Sequence, residues 1–192
     1  MAEHSAAAEE TGGPRSDCSA PTRIMLAVNQ SSIKGYPNPS ISSMNAFHWV
    51  VKKIIQPPTR SHFKLLILHV QVPDDDAFDD TDSLFASKED FQTIKHGDQI
   101  RGVHLLQHFV HECNELKIPC RAWVRKGDIR EVICKEVARA HPDMLVLGSR
   151  GLRTIQKIFV GTVSEYCVKH VDCPVLVVRR KQEDAPEDSI ED

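Results

Sequence analysis

Five short apolar runs, separated by stretches whose apolar residues recur at helical spacing, set the strongest limit on how this chain folds. Ile24-Met-Leu-Ala-Val28 comes first, short and bounded by polar residues as a buried strand is. Ile41, Met44, Phe47, Val51 and Ile54 then step by 3, 3, 4 and 3, which places them on one helix face with Ser40 to Ser43 near its start. Phe63 to Val70 is the second strand. After a long acidic loop from Pro73 to about Ser87, Val103, Leu106, Val110 and Cys113 step by 3, 4 and 3 and predict a second helix. Cys120 to Val124 alternates like a strand near an edge, and Asp128 with Glu131 three residues on has the pattern of a capping box opening a helix. Met144 to Leu147 is the fourth strand. Thr162 and Glu165 repeat the T-x-x-E pattern, with Thr162 as the expected N-cap, and Pro174 to Val178 is the fifth strand.

Strict alternation of this kind predicts an α/β fold: a five-stranded parallel, doubly wound, Rossmann-like sheet with helices on both faces, in a single domain. Ligands of such sheets sit beyond the carboxyl ends of the strands, where the strand order reverses. The loops after Val28, Val70 and Leu147 are therefore the places to look for a site.

A chain of 192 residues with 41% hydrophobic and 27% charged residues suits one globular domain with tails. Residues 1–20 and 181–192 are poor in large apolar side chains and are expected to be disordered, leaving a domain over 21–180. The first tail carries four acids against one arginine and the last six acids against one lysine, so the net charge of −3 hides a central region that is net positive by five. That suits a small anionic ligand. With no basic stripe or interleaved aromatics, it argues against nucleic acid. No apolar run has the length of a membrane span, and the N-terminal region lacks the marks of a signal or transit peptide, so the expected location is the cytoplasm, with the nucleus left open. The six cysteines form no CxxC pair and read as buried small hydrophobes.

The segment after the fourth strand carries the chemistry. Gly148-Ser-Arg-Gly151 is followed by nine residues and then by Gly161-Thr162 at a helix start. Glycines let backbone N–H groups come close to an anion, and a helix start adds unpaired N–H groups and the positive end of its dipole. Thr162 serves the ligand or its own helix, and Arg150 either reaches a phosphate or points to solvent; the residues leave both choices open. Lys157 reads as a surface residue and His69 as a structural member of the Leu-His-Val run. No HExxH or HxH spacing supports a tight metal site, and Asp74, Asp75, Asp76, Asp79, Asp80 and Asp82 read as a solvated acidic loop.

Gly148, Gly151, Gly161 and Thr162 fit G-x2-G-x9-G-[ST] at every spacing, and in this the chain resembles the nucleotide-binding members of the universal stress protein family. With Ile24 to Val28, Leu66-Ile-Leu-His-Val70 and Pro174 to Val178 in place, it is most similar to plant-type, single-domain members over roughly residues 21 to 180. The resemblance implies an ATP or AMP site. Ala27, Val28 and Asn29 would contact the nucleoside, and the backbone of Val70 the adenine. Gly148, Ser149, Arg150, Gly151, Gly161, Thr162, Val163 and Ser164 would hold ribose and phosphates. The first strand of the family usually ends in Asp, whereas this chain has Asn29, which keeps the carbonyl, loses the charge and gains an amide donor. Asn29 is alternatively a plain turn former. The departure leaves open the choice between ATP and AMP and whether Mg accompanies ATP.

No Walker A loop, no GxGxxG after the first strand and no GxSxG elbow occurs, which removes the main props of kinase, dehydrogenase and hydrolase readings. The resemblance instead implies an adenine-nucleotide-binding regulatory module of the stress response, at most a slow ATPase, forming a homodimer through its fifth strand. The competing expectation is a nucleotide-independent dimeric scaffold or chaperone-like interaction protein.

Overall fold

A computed structural model of the protein describes residues 20–72, 88–149 and 161–179. The expected tails, the acidic loop, Arg150, Gly151 and Lys157 lie outside the described residues. Five strands, β1 (Thr22–Val28), β4 (Phe63–Gln71), β5 (Cys120–Lys126), β6 (Met144–Ser149) and β7 (Val175–Arg179), form one sheet in the order β5-β4-β1-β6-β7, with every pairing parallel. The predicted doubly wound sheet is what is found, and β5 lies at one edge, as the alternation of Cys120 to Val124 suggested, with most of its side chains half-buried. Strand order reverses at β1, which leads to β4 on one side and pairs with β6 on the other.

Side chains alternate across the sheet with the strand period of two. Ile24, Leu26, Val28, Leu65, Ile67 and Val146 pack on one face against α1 (Ile41–Lys53) and α2 (Lys88–Glu115). Met25, Leu66, Leu68, Val70, Leu145 and Leu147 pack on the other against α3 (Ile129–Ala140) and α4 (Thr162–His170). Both faces are covered, which is why the strands read as continuous apolar runs rather than alternating ones.

Two helices turn inward a face that is rotated from the one their spacing suggested but shares Phe47, Leu106 and Cys113 with it. In α1 the buried residues are Ser42, Ser43, Ala46, Phe47 and Val50, while Ile41, Met44, Val51 and Ile54 are half-buried at its flanks. In α2, Gly102, Leu105, Leu106, Phe109 and Cys113 are buried and Val103 is 45% exposed. A helix on a sheet buries a broad stripe, and when two adjacent stripes are both apolar, contact with the sheet decides between them. In α2, Gly102 lies close against the sheet, where a Cβ would stand 2.9 Å from Gln71 Nε2 and 3.2 Å from Val124 Cγ1.

A small antiparallel hairpin, β2 (Gln30–Ser31) and β3 (Gly35–Pro39), follows β1 and was not expected from the sequence. Its turn needs glycine at Gly35, whose φ of 62° lies in the left-handed region, and Ser31 Oγ accepts from the N–H of Lys34 at 3.1 Å. Asp128 caps α3 as expected, accepting from the N–H groups of Arg130 and Glu131 at 3.0 and 3.1 Å. Inside α3 the buried carboxylate of Glu136 collects Trp123 Nε1 at 2.7 Å, Arg125 Nε at 2.9 Å and Arg139 Nη2 at 2.6 Å. Burial raises its proton affinity, but these donors outweigh burial and hold it ionised below the usual carboxylate range.

Candidate functional site at the strand-order reversal

Parallel strands put all their carboxyl ends on one side of the sheet, and the helices that follow them begin there. The ends of β1, β4 and β6 and the starts of α1 and α4 therefore share that side. β1 and β6 remain paired to Ala27 and Leu147, so Val28-Asn29 and Gly148-Ser149 flank the opening beyond them. Val28 pairs with His69 on the other side, one residue short of Val70.

The side chains of Ala27, Val28 and Val70 belong to the cores on the two faces, which leaves their main chain as the part that can meet a ligand. Asn29 is exposed but anchored. Its Oδ1 accepts from Ser40 Oγ at 2.6 Å and Ser43 Oγ at 2.8 Å, while its N–H donates to Ser43 Oγ at 2.9 Å. The N–H of Ser40 closes the loop on the Asn29 carbonyl at 2.9 Å. Ser40 is also the N-cap of α1, accepting from the N–H of Ser43 at 3.1 Å. Asn29 thus joins the end of β1 to the start of α1, a larger role than a turn former has. The serines were visible in the sequence only as a helix start.

The motif glycines divide by role. A Cβ on Gly148 would stand 2.3 Å from the carbonyl oxygen of Ser42 and 2.6 Å from its carbon, so this glycine lets β6 approach the backbone of α1. Gly161 has an ordinary φ of −55°, and a Cβ there would meet nothing within 4 Å among the described residues. Gly161, not Thr162, is the N-cap of α4, and no side chain caps the helix. The first intrahelical bond runs from Glu165 N–H to the Gly161 carbonyl at 2.9 Å, so the N–H groups of Thr162, Val163 and Ser164 have no partner within the helix. The expected capping box at Thr162 is not formed because Glu165 bonds Lys169 at 2.8 Å instead of reaching back. Val163 is half-buried against the α3/α4 core and Ser164 is buried, which again leaves their main chain for a ligand. Ser149 is buried at the end of β6.

His69, 2% exposed, has Nδ1 2.9 Å from the Val28 carbonyl and Nε2 2.7 Å from the Tyr36 hydroxyl. Burial lowers its proton affinity against an opposing contribution from the Val28 bond, so the ring is neutral near pH 7. The Val28 carbonyl only accepts, so Nδ1 carries the proton and the Tyr36 hydroxyl donates to Nε2. His69 is structural, as its setting in the sequence suggested. Among the described residues no group of three His, Cys, Asp or Glu is placed to hold a metal, and no helix is long and apolar enough to cross a membrane. The described cysteines are free, with Cys113 and Cys167 buried and Cys120, Cys134 and Cys173 half-buried.

The sequence model described as the universal stress protein family matches residues 23–179. The chain belongs to the universal stress protein family. It is 52% identical over 174 residues to a universal stress protein A-like protein from Arabidopsis thaliana, an alignment that covers 91% of this chain and 99% of that one. A crystal structure of a universal stress protein family protein from Arabidopsis thaliana with AMP bound superposes with a TM-score of 0.68 at 45% identity, covering 90% of this chain and all of that one. A universal stress protein solved in complex with cAMP, 14% identical with a TM-score of 0.50 over 85% of this chain and all of that one, shares the fold. In this universal stress protein Gly148 stands at the end of β6 and Gly161 starts α4 on the side of the sheet where the strands end, with Arg150 and Gly151 outside the described residues.

Proposed function

We propose that this universal stress protein is an adenine-nucleotide-binding regulatory module of the stress response, with AMP as the preferred ligand. Gly161 carries the reading. Its φ is open to any residue and a Cβ there meets nothing within 4 Å among the described residues, so none of them requires glycine at this helix start. Close approach of an anion supplies a reason for it. The 45% identical Arabidopsis structure solved with AMP bound supports the choice of ligand. In this reading the phosphate lies at the main-chain N–H groups of Thr162, Val163 and Ser164 and along Gly148-Ser149 and Arg150-Gly151. The nucleoside lies against the main chain of Ala27 to Asn29 and of Val70.

Asn29 supports AMP over Mg-ATP. Its oxygen already accepts from two serine hydroxyls and it carries no charge, so it does not offer what a divalent ion on a triphosphate prefers. None of Ala27, Val28, Asn29, Val70, Gly148, Ser149, Gly161, Thr162, Val163 and Ser164 is a general base, so we read the site as one that binds rather than turns over. Titration calorimetry of the full chain with AMP and ATP, beside a Gly161→Val variant, tests the reading. Wild type is expected to bind AMP and the folded variant to have lost it. Equal affinity in the two proteins overturns the assignment.

We further propose that β7, the sheet edge opposite β5, pairs with a second copy to give a homodimer in the cytoplasm. Support comes from half-buried Val175, Leu176 and Val177 on an edge that no other strand pairs among the described residues. The Pro174 carbonyl bonds Leu145 N–H at 2.9 Å, so by strand alternation the polar groups of Val177 face outward. Val177→Pro removes that outward donor and is expected to yield a monomer by light scattering. A variant that remains dimeric refutes this route.

A further inference from the structure

We propose that Tyr36 and His69 are positioning residues for the nucleobase end of the crevice, an inference that rests on the adenine-nucleotide reading above. The two side chains join three segments that the sequence holds apart. His69 lies on β4 immediately before Val70, its Nδ1–H donates to the carbonyl of Val28 at 2.9 Å, and its Nε2 accepts from the hydroxyl of Tyr36 on β3 at 2.7 Å. The rings meet edge to face, with centroids 5.6 Å apart and planes at 79°. At its root the hairpin is closed by Ser40 N–H on the Asn29 carbonyl at 2.9 Å. Gln30–Pro39 is thus held at its base by Asn29 and along its far strand by Tyr36.

The consequence is local. Val28-Asn29 and Val70 are the main-chain segments assigned to the nucleoside, and a single buried imidazole lies between them. With the Tyr36 proton committed to Nε2, the ring has one tautomer and one orientation, and the Val28 carbonyl is held in place by it. Removing the hydroxyl frees the ring to turn and the hairpin to shift, so a base loses a preformed wall and must order it on binding. The phosphate seat at Gly148 and Gly161 is on the other side of β1 and keeps its own anchors, among them the contact of Gly148 with Ser42.

The experiment compares wild type and Tyr36→Phe for AMP, adenosine and ribose 5-phosphate by NMR titration, which reaches millimolar affinities. The expected result is a loss of roughly five- to tenfold for AMP and adenosine, with ribose 5-phosphate unchanged. A His69→Gln variant, whose side-chain amide can donate to Val28 and accept from Tyr36, is expected to lose less than His69→Leu for the same two ligands. Near-UV circular dichroism checks that each variant is folded. If all three ligands weaken in the same proportion, or none weakens, Tyr36 acts only through general stability and the proposal is overturned. Wild type that binds no adenine ligand overturns the functional reading itself, and this inference with it.

Discussion

Gly148 and Gly161 belong to one motif, and alanine at each should give opposite results. At Gly148 an added Cβ stands 2.3 Å from the Ser42 carbonyl oxygen and 2.6 Å from its carbon, both backbone atoms. Ordinary contact is more than 3 Å, so α1 would have to withdraw from β6 by about 1 Å, carrying Phe47 and Val50 with it. Overpacking usually costs about 1–3 kcal/mol, and a clash with helix backbone belongs at the upper end, so we expect a loss of about 3 kcal/mol. For a chain of this size that lowers Tm by roughly 6–12 °C. At Gly161, φ −55°, alanine meets none of the described residues within 4 Å. A poorer N-cap and a less flexible unfolded chain nearly cancel, leaving a change within about 0.5 kcal/mol. Thermal melts followed by circular dichroism, at one protein concentration, read both numbers. AMP titration of the Gly161→Ala variant should show weakened binding in a protein that melts like wild type. A Gly148→Ala protein with wild-type Tm would refute the close approach of β6 to α1. A Gly161→Ala protein that is destabilised as much would mean that the fold, rather than a ligand, requires that glycine.

Glu136→Ala removes a buried acceptor from Trp123, Arg125 and Arg139. Because the two arginines are 37% and 54% exposed and regain water, the loss in urea denaturation should be about 2–3 kcal/mol rather than that of a fully buried ion pair. The folded protein lowers the proton affinity of Glu136, so its contribution is present above the unfolded carboxylate range and is lost as pH falls through the lowered folded value. Glu136→Gln should flatten that part of the acid denaturation profile, and an unchanged profile would show that the carboxylate does not gain from its donors. Asn29→Asp places a charge on the acceptor of Ser40 and Ser43; we expect AMP to bind several-fold more weakly and Mg-ATP relatively better, and a variant unchanged in affinity and preference would show that Asn29 is no part of the ligand site. Burial pushes the thiol of Cys167 up to about 12, so in the native protein at pH 8 mass spectrometry should find it unalkylated by iodoacetamide, and rapid labelling would show that α4 does not hold it packed against α3 and the sheet.

Much of the fold was legible in the residues because its signals are local. Runs such as Ile24 to Val28 and Met144 to Leu147 are apolar throughout because both faces of the sheet are covered, and Asp128 announces the start of α3 by a side chain that bonds N–H groups two and three residues on. The hairpin escaped because β2 has two residues and β3 two prolines, too little for any periodicity to register. The T-x-x-E pattern at Thr162 misled because a capping box depends on backbone geometry at one residue. Gly161 occupies that position, and Glu165 turns to Lys169.

By itself the sequence determined the class of the protein: strand and helix order, the covered sheet that this order demands, and a glycine spacing specific enough to indicate the family and the end of the sheet where a site is proposed. Tertiary structure alone decided which distant residues meet there. Ser42 and Gly148 are 106 residues apart, and only the crossing of α1 over β6 makes that glycine a packing residue, whereas a Cβ on Gly161 meets none of the described residues. The same holds for His69, whose neighbours Val28 and Tyr36 arrive from another strand and from a hairpin. Periodicity and capping are properties of residues a few positions apart and can be read along a chain, whereas the role of a side chain depends on what distant segments bring within about 4 Å of it.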